Sequence, residues 1–80
     1  MTDGPDLPVA DRRYDAGDTL CGELALALRT ELRGMPPGAV LEVVASDAAA
    51  PQDLPAWCEL TGHTLVRAEP PRFWIRRKPD

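Results

Sequence analysis

The sequence predicts an α+β two-layer sandwich, in which two helices cover one face of a four-stranded mixed sheet in the order β-α-β-α-β-β. Two amphipathic helical patterns alternate with short apolar strand patterns along the chain. Two helices are enough to cover one face of such a sheet, and they leave the other face at least partly open. The 80 residues, 44% of them hydrophobic, allow a single domain with one core.

The first strand follows an acidic, proline-containing segment. Residues 1–11 offer little to pack and are predicted to form a flexible tail, with the single domain spanning residues 12–80. Residues 12–16, around Tyr14, are predicted to form a short edge strand.

The first helix is predicted over residues 22–33, where good helix formers dominate. Gly34 is expected to end this helix, and the turn Pro36-Pro37-Gly38 follows. Its apolar stripe consists of Cys21, Leu24, Ala25, Leu28 and Leu32.

The second half of the chain begins with the clearest strand, residues 39–45, which is rich in β-branched side chains. A second helix is predicted to begin with Asp53 as its N-cap and Pro55 in its first turn. Gly62 is expected to end it. Its apolar face would consist of Leu54, Trp57, Cys58 and Thr61.

The last two strands are predicted on either side of Pro70-Pro71, which marks a turn. Residues 65–66 lie in the third strand, and residues 73–75 form the fourth, flanked by Arg72 and Arg76. Trp74 alternates with Phe73 and Ile75, so one of these two sets faces away from the helices. We expect Trp74 to form an exposed apolar strip with Val40 and Val44.

Cys21 is the first candidate for chemistry because it lies where a loop meets the first helix. Free backbone N–H groups and the positive end of the helix dipole favour an anion there and lower the pKa of a thiol. The nearby carboxylates of Asp18 and Glu23 act in the opposite direction. The alternative interpretation is a small buried cysteine on the helix stripe.

Four other features have structural interpretations that compete with functional ones. Cys58 lies mid-helix and is expected to pack in the core, and His63 is expected to be a hydrogen-bonded structural histidine rather than a general base. Asp47 and Asp53 suit turn formation and capping better than paired acid–base work. The basic cluster Arg72, Arg76, Arg77 and Lys78 is typical of a solvated strand end, with docking of an acidic partner as the alternative.

From residue 15 to residue 78 the chain resembles the TusA/SirA-like family of small bacterial sulfur-carrier proteins. The matching stretches, in order, are Asp15-Ala16, Cys21, Pro37-Gly38, Ala45-Ser46-Asp47, the run from Asp53 to Cys58, Gly62-His63, and Ile75-Arg76-Arg77-Lys78. The resemblance implies the same β-α-β-α-β-β sandwich. It also implies a sulfur relay, or sulfurtransferase, in which Cys21 accepts a persulfide sulfur from a cysteine desulfurase or rhodanese-like donor and passes it to an acceptor protein.

The family signature Cys-Pro-x-Pro is altered here to Cys21-Gly22-Glu23-Leu24. Gly22 loses the rigidity of proline but restores a backbone N–H that can point at the sulfur. Gly22 and Glu23, which directly follow Cys21, are taken as the supporting residues of the candidate site. The rival hypothesis is a non-catalytic binding or regulatory module that keeps the fold and has lost sulfur transfer. A redox pair of Cys21 and Cys58 is disfavoured because the second helix should bury Cys58.

Charge and composition exclude several other classes. A net charge of −4 argues against direct nucleic-acid binding, because neutralising phosphates needs a surplus of cations. With two cysteines and one histidine, the sequence contains no metal-ligand spacing, so neither a metal nor another cofactor is expected. We expect a cytoplasmic protein with reduced thiols and no membrane segment. The sequence leaves the acceptor pathway open among tRNA thiolation, molybdenum cofactor, a thio-metabolite and sulfur oxidation.

Overall fold

A computed structural model describes residues 7–19 and 21–79, with the side chain of Cys21 outside this description. The first six residues of the predicted tail, 1–6, are not among the described residues, so the flexible tail stays a prediction. Asp11 pairs with the second strand: its N–H donates to the Val40 carbonyl at 2.8 Å, and its carboxylate accepts from the Val40 N–H at 2.9 Å.

The element order is the predicted one. The strands are β1 (Arg12–Gly17), β2 (Val40–Ala45), β3 (Thr64–Glu69) and β4 (Arg72–Arg76), and the helices are α1 (Cys21–Arg33) and α2 (Ala50–Thr61). The sheet order is β1-β2-β4-β3, with β1 parallel to β2 and the other two pairings antiparallel. The predicted mixed sheet, with β1 at one edge, is therefore confirmed.

The core lies between the sheet and both helices. Leu24, Leu28 and Leu32 project from α1, four residues apart, and are at most 4% exposed. They pack in one cluster with alternate residues of the two central strands, which are Leu41, Val43 and Ala45 of β2 and Phe73 and Ile75 of β4. Both helices therefore cover the same sheet face, as the sequence predicts.

The start of α2 corrects the sequence prediction. The residue before the helix is Ala49 rather than Asp53, and Asp53 lies in the first turn with its N–H bonded to the Ala49 carbonyl at 2.8 Å. Pro51 occupies the start of the helix, where a missing N–H has no partner to lose. Pro55 lies inside the helix, so the Pro51 carbonyl lacks its usual donor. Gly62 ends α2 as predicted, with a left-handed φ of 91°.

The outer sheet face also differs from the expectation of an exposed apolar strip. Trp74 faces away from the core cluster but is only 1% exposed, and Val40 and Val44 are half-buried. The guanidinium carbon of Arg72 lies 4.8 Å from the centroid of the Trp74 ring. Arg72 Nε also donates to Glu42 Oε2 at 2.8 Å. Charged side chains therefore cover the apolar ring, and Trp74 does not form an exposed apolar surface on this face.

Candidate functional site at the start of the first helix

Hydrogen bonds hold the described residues that lead from β1 towards α1. The Gly17 N–H donates to Asp15 Oδ1 at 3.0 Å, and Gly17 adopts a φ of 59° that favours glycine. Thr19 donates to the Ala16 carbonyl twice, from its N–H at 3.1 Å and from its hydroxyl at 2.5 Å. The Ser46 N–H donates to the Gly17 carbonyl at 2.7 Å and ties this loop to the end of β2.

Cys21 is the first residue of α1, one residue earlier than the sequence predicts. Leu20 lies outside the described residues. Since β1 and β2 are parallel and α1 connects them, the start of α1 lies at the carboxyl edge of this strand pair. Open α/β sheets place their ligand sites at that edge. The backbone of Cys21 is therefore at the position where a helix N-terminus and a strand-end loop meet.

The residues after Cys21 occupy two different environments. Gly22 and Glu23 are exposed in the first turn, where backbone N–H groups have no intrahelical acceptor. Leu24, which replaces the second proline of the family signature, is 4% exposed and belongs to the core cluster. Leucine in place of the second signature proline therefore adds a core contact, whereas glycine in place of the first lies at an exposed position.

A small cleft between the two helices lies beside this first turn. It has a volume of about 20 Å³ and is lined by Leu24, Ala25, Asp47, Ala50, Asp53, Leu54 and Trp57. Helical side chains lean toward the N-terminus, so Leu24 and Ala25 cover the turn that begins at Cys21. The structure thus brings Asp47 and Asp53 to one cleft, which their separation in sequence did not indicate. The Asp47 carbonyl accepts from the Ala50 N–H at 3.0 Å, which agrees with its predicted role in a turn, whereas Asp53 does not cap the helix.

Cys58 packs in the core, as predicted. Cys58 is 3% exposed, and burial raises the pKa of its thiol to about 11. A thiol in this environment is almost wholly protonated at neutral pH and has no path to a second protein. Cys58 is therefore a packing residue.

His63 is a hydrogen-bonded residue, as predicted. The Lys78 N–H donates to His63 Nδ1 at 3.0 Å, and the imidazole stacks on Trp57 with a centroid separation of 5.5 Å. The residues that the structure describes include no group of three or more potential ligands that could hold a metal ion. None of the described helices is long and apolar enough to cross a membrane.

The basic cluster predicted at the end of the chain is divided between the two sheet faces. Arg72 lies on the outer face and pairs with Glu42, whereas Arg77 donates from Nε to the Leu32 carbonyl of α1 at 2.9 Å. Arg72 and Arg77 therefore lie on different faces of the sheet. The sequence did not indicate that Arg77 and Lys78 line one groove with Arg29 and Arg33 of α1.

The two cysteines are expected to differ in reactivity at pH 7.5. At that pH a thiol with a pKa of about 11 is ionised on the order of 300-fold less than a thiol with the ordinary pKa of about 8.5. We therefore expect iodoacetamide to modify Cys21 at least about 100-fold faster than Cys58. Mass spectrometry after a brief reaction measures both rates. Preferential modification of Cys58 would contradict the assignment of Cys58 to the core.

Gly22→Pro is expected to leave the free energy of unfolding unchanged or to raise it by up to about 1 kcal/mol, since proline restricts the unfolded chain. The φ of Gly22 is not positive, and a Cβ built at Gly22 meets no atom within 4 Å. Pro51 provides a precedent at the start of α2.

Gly22→Ala is the matched control, because alanine also restricts the backbone but keeps the N–H. Urea unfolding measures both variants. If proline destabilises by more than about 1 kcal/mol while alanine does not, the Gly22 N–H has a structural partner and the prediction fails.

Comparison with known proteins agrees with this geometry. The family profile described as "Sulfurtransferase TusA" matches residues 12–77. The chain is 38% identical over 74 residues to a "Sulfur carrier protein TusA" of Pseudomonas savastanoi pv. phaseolicola. The aligned residues cover 88% of each chain. It is 34% identical to the protein of that name in Pseudomonas paraeruginosa and 32% identical to that of Pseudomonas putida, with 94% and 92% of those chains covered.

Proposed function

We propose, from the premise that this chain belongs to the TusA sulfurtransferase family, that Cys21 carries a persulfide sulfur from a donor protein to an acceptor protein. Membership in the family supports a role in sulfur relay. The observation that carries the assignment to Cys21 is that α1 begins at this residue, within the matched segment 12–77.

The proposed reaction is a pair of thiol exchange steps. The Cys21 thiolate attacks the terminal sulfur of a donor persulfide, a new S–S bond forms at Cys21, and the donor leaves as a thiolate. An acceptor thiolate then attacks the terminal sulfur on Cys21, which releases the Cys21 thiolate. Each step exchanges one S–S bond for another, so no external oxidant or reductant is needed.

The first turn of α1 supports this chemistry electrostatically. The N–H groups at the start of a helix lack intrahelical acceptors, and the helix dipole is positive at this end. Both effects stabilise an anionic sulfur at Cys21. Glu23 is exposed, and solvent therefore screens its repulsion of the same anion.

The partners in this proposal are proteins. A cysteine desulfurase or a rhodanese-like protein supplies the sulfur, and an acceptor protein of a sulfur-relay chain removes it. Both reactions require free thiols, which supports a location in the reducing cytoplasm.

A non-catalytic binding module is the second candidate, and Gly22 and Leu24 favour it because neither signature proline is present. In that case the fold would persist, while the stiff entry to α1 that holds the thiol for attack would be lost. The two candidates differ in one measurable property, which is sulfur uptake.

Sulfur uptake is tested by incubating the protein with a cysteine desulfurase, pyridoxal phosphate and cysteine, followed by intact-mass measurement. We expect a gain of one sulfur atom per chain, reversed by dithiothreitol and absent without the desulfurase. A folded protein that stays unmodified with both a desulfurase and a rhodanese as donors, while its thiol reacts with iodoacetamide, would favour the binding module instead.

A further inference from the structure

A positively charged groove lies at the opposite end of the helical layer from Cys21. It has a volume of about 390 Å³ and is lined by Arg29, Arg33, Trp57, Leu60, Thr61, His63, Arg77 and Lys78. Four of these residues are cationic, and none of the described lining residues is acidic. This concentration of positive charge is a local feature, because the whole chain carries a net charge of −4.

Three cations of this groove differ from most of the other arginines of the chain. Arg12, Arg13 and Arg72 each pair with a glutamate. Arg29, Arg33 and Lys78 form no ion pair with any residue that the structure describes. Lys78 Nζ donates to the Thr61 carbonyl at 3.1 Å, which holds the side chain at the groove wall without pairing it with a carboxylate. A carboxylate placed in the groove would meet three such charges.

The groove also has an apolar wall. Leu60 is 86% exposed, although it is a large hydrophobic residue, and Trp57 is half-buried. The ring of His63 stacks on Trp57, and its hydrogen bond from the Lys78 backbone fixes the ring plane. A rigid aromatic surface beside an exposed leucine is suited to bind an apolar side chain.

We propose that this groove docks an acidic segment of a partner protein that also carries an apolar side chain. The carboxylates would lie against Arg29, Arg33 and Lys78, and the apolar side chain against Leu60 and Trp57. Nucleic acid fits less well, because the net acidic chain repels a long polyanion and a phosphate backbone offers no apolar group to contact Leu60.

The groove and Cys21 lie at different ends of α1. Arg29 is eight residues beyond Cys21, which corresponds to about 12 Å at the helical rise of about 1.5 Å per residue. A partner held in the groove therefore leaves the start of α1 accessible to a second protein group. The proposal concerns binding alone and does not depend on sulfur being carried by Cys21.

The test uses fluorescence anisotropy with a short labelled peptide of aspartate and glutamate that contains one central tryptophan. We expect binding that weakens as the salt concentration rises, and a loss of about fivefold in affinity for Arg29→Glu and for Arg33→Glu. Arg76→Glu is the matched control, because it makes the same change in net charge at an exposed position of β4, which lies outside the groove. It should change the affinity by less than about twofold.

Three further arms separate the alternatives. Replacing the tryptophan of the peptide with glycine should weaken binding to the unmodified protein, but not to Leu60→Ser. Inorganic tripolyphosphate and single-stranded DNA should compete poorly. Cys21→Ser should bind the peptide normally, so a failure of sulfur transfer would not affect this result. Equal losses in Arg29→Glu and Arg76→Glu, or competition by tripolyphosphate without any advantage from the tryptophan, would overturn the proposal.

Discussion

Cys21→Ser is expected to abolish sulfur uptake completely while changing the free energy of unfolding by less than about 0.5 kcal/mol. Serine is a good residue at a helix start and differs from cysteine by one atom, but its oxygen cannot form a persulfide. Intact-mass measurement after incubation with a desulfurase and cysteine gives the uptake, and urea unfolding gives the stability.

The matched control is Cys58→Ala, which removes the other thiol. Cys58 is buried in the core, so this variant should lose about 1 kcal/mol of stability and still take up one sulfur atom per chain. If Cys21→Ser retained uptake while Cys58→Ala lost it, the roles that we assign to the two cysteines would be reversed.

Trp74→Ala is expected to lower the free energy of unfolding by about 3–5 kcal/mol, although Trp74 faces away from the helices. Its side chain is 1% exposed, and Arg72 lies over its ring. A domain of this size has a total stability of only about 4–12 kcal/mol, so this one substitution removes a large share of it. Urea unfolding followed by circular dichroism measures the loss.

Leu60→Ala serves as the control for this substitution. Leu60 is also a large apolar residue, but at 86% exposure its truncation should change stability by less than about 0.5 kcal/mol. A loss of less than about 1 kcal/mol in Trp74→Ala would show that the outer sheet face contributes little packing.

The periodic patterns were sufficient to predict the fold from the sequence. The four-residue spacing of Leu24, Leu28 and Leu32 identifies the buried stripe of α1, and the alternation in β2 identifies Leu41 and Val43 as core residues. These patterns are reliable because burial on one face repeats with the geometry of the element.

The start of α2 could not be predicted in the same way. Asp53 and Pro55 resemble a capping residue followed by a first-turn proline, but Pro51 satisfies the same rule four residues earlier. The burial of Ala50 decides between the two starts, because the earlier start adds a core contact. That preference depends on tertiary packing, which a local signal does not contain.

The groove and the cover of Trp74 also depend on residues that are distant in sequence. Arg29 and Lys78 line the same groove although nearly fifty residues separate them. Glu42 and Arg72 meet through the pairing of β2 with β4. The basic residues at the end of the chain are close in sequence and suggested a single surface. In the structure Arg72 lies on the outer sheet face, whereas Arg77 and Lys78 line the groove.

The most direct test of the central claim is to locate the sulfur on the unmodified protein. After loading by a desulfurase, the persulfide is trapped with iodoacetamide, and a tryptic digest separates Cys21 on the peptide of residues 14–29 from Cys58 on the peptide of residues 34–67. We predict that mass spectrometry finds the additional sulfur on the peptide of residues 14–29. Its presence on the peptide of residues 34–67 would contradict the proposal that Cys21 carries the sulfur.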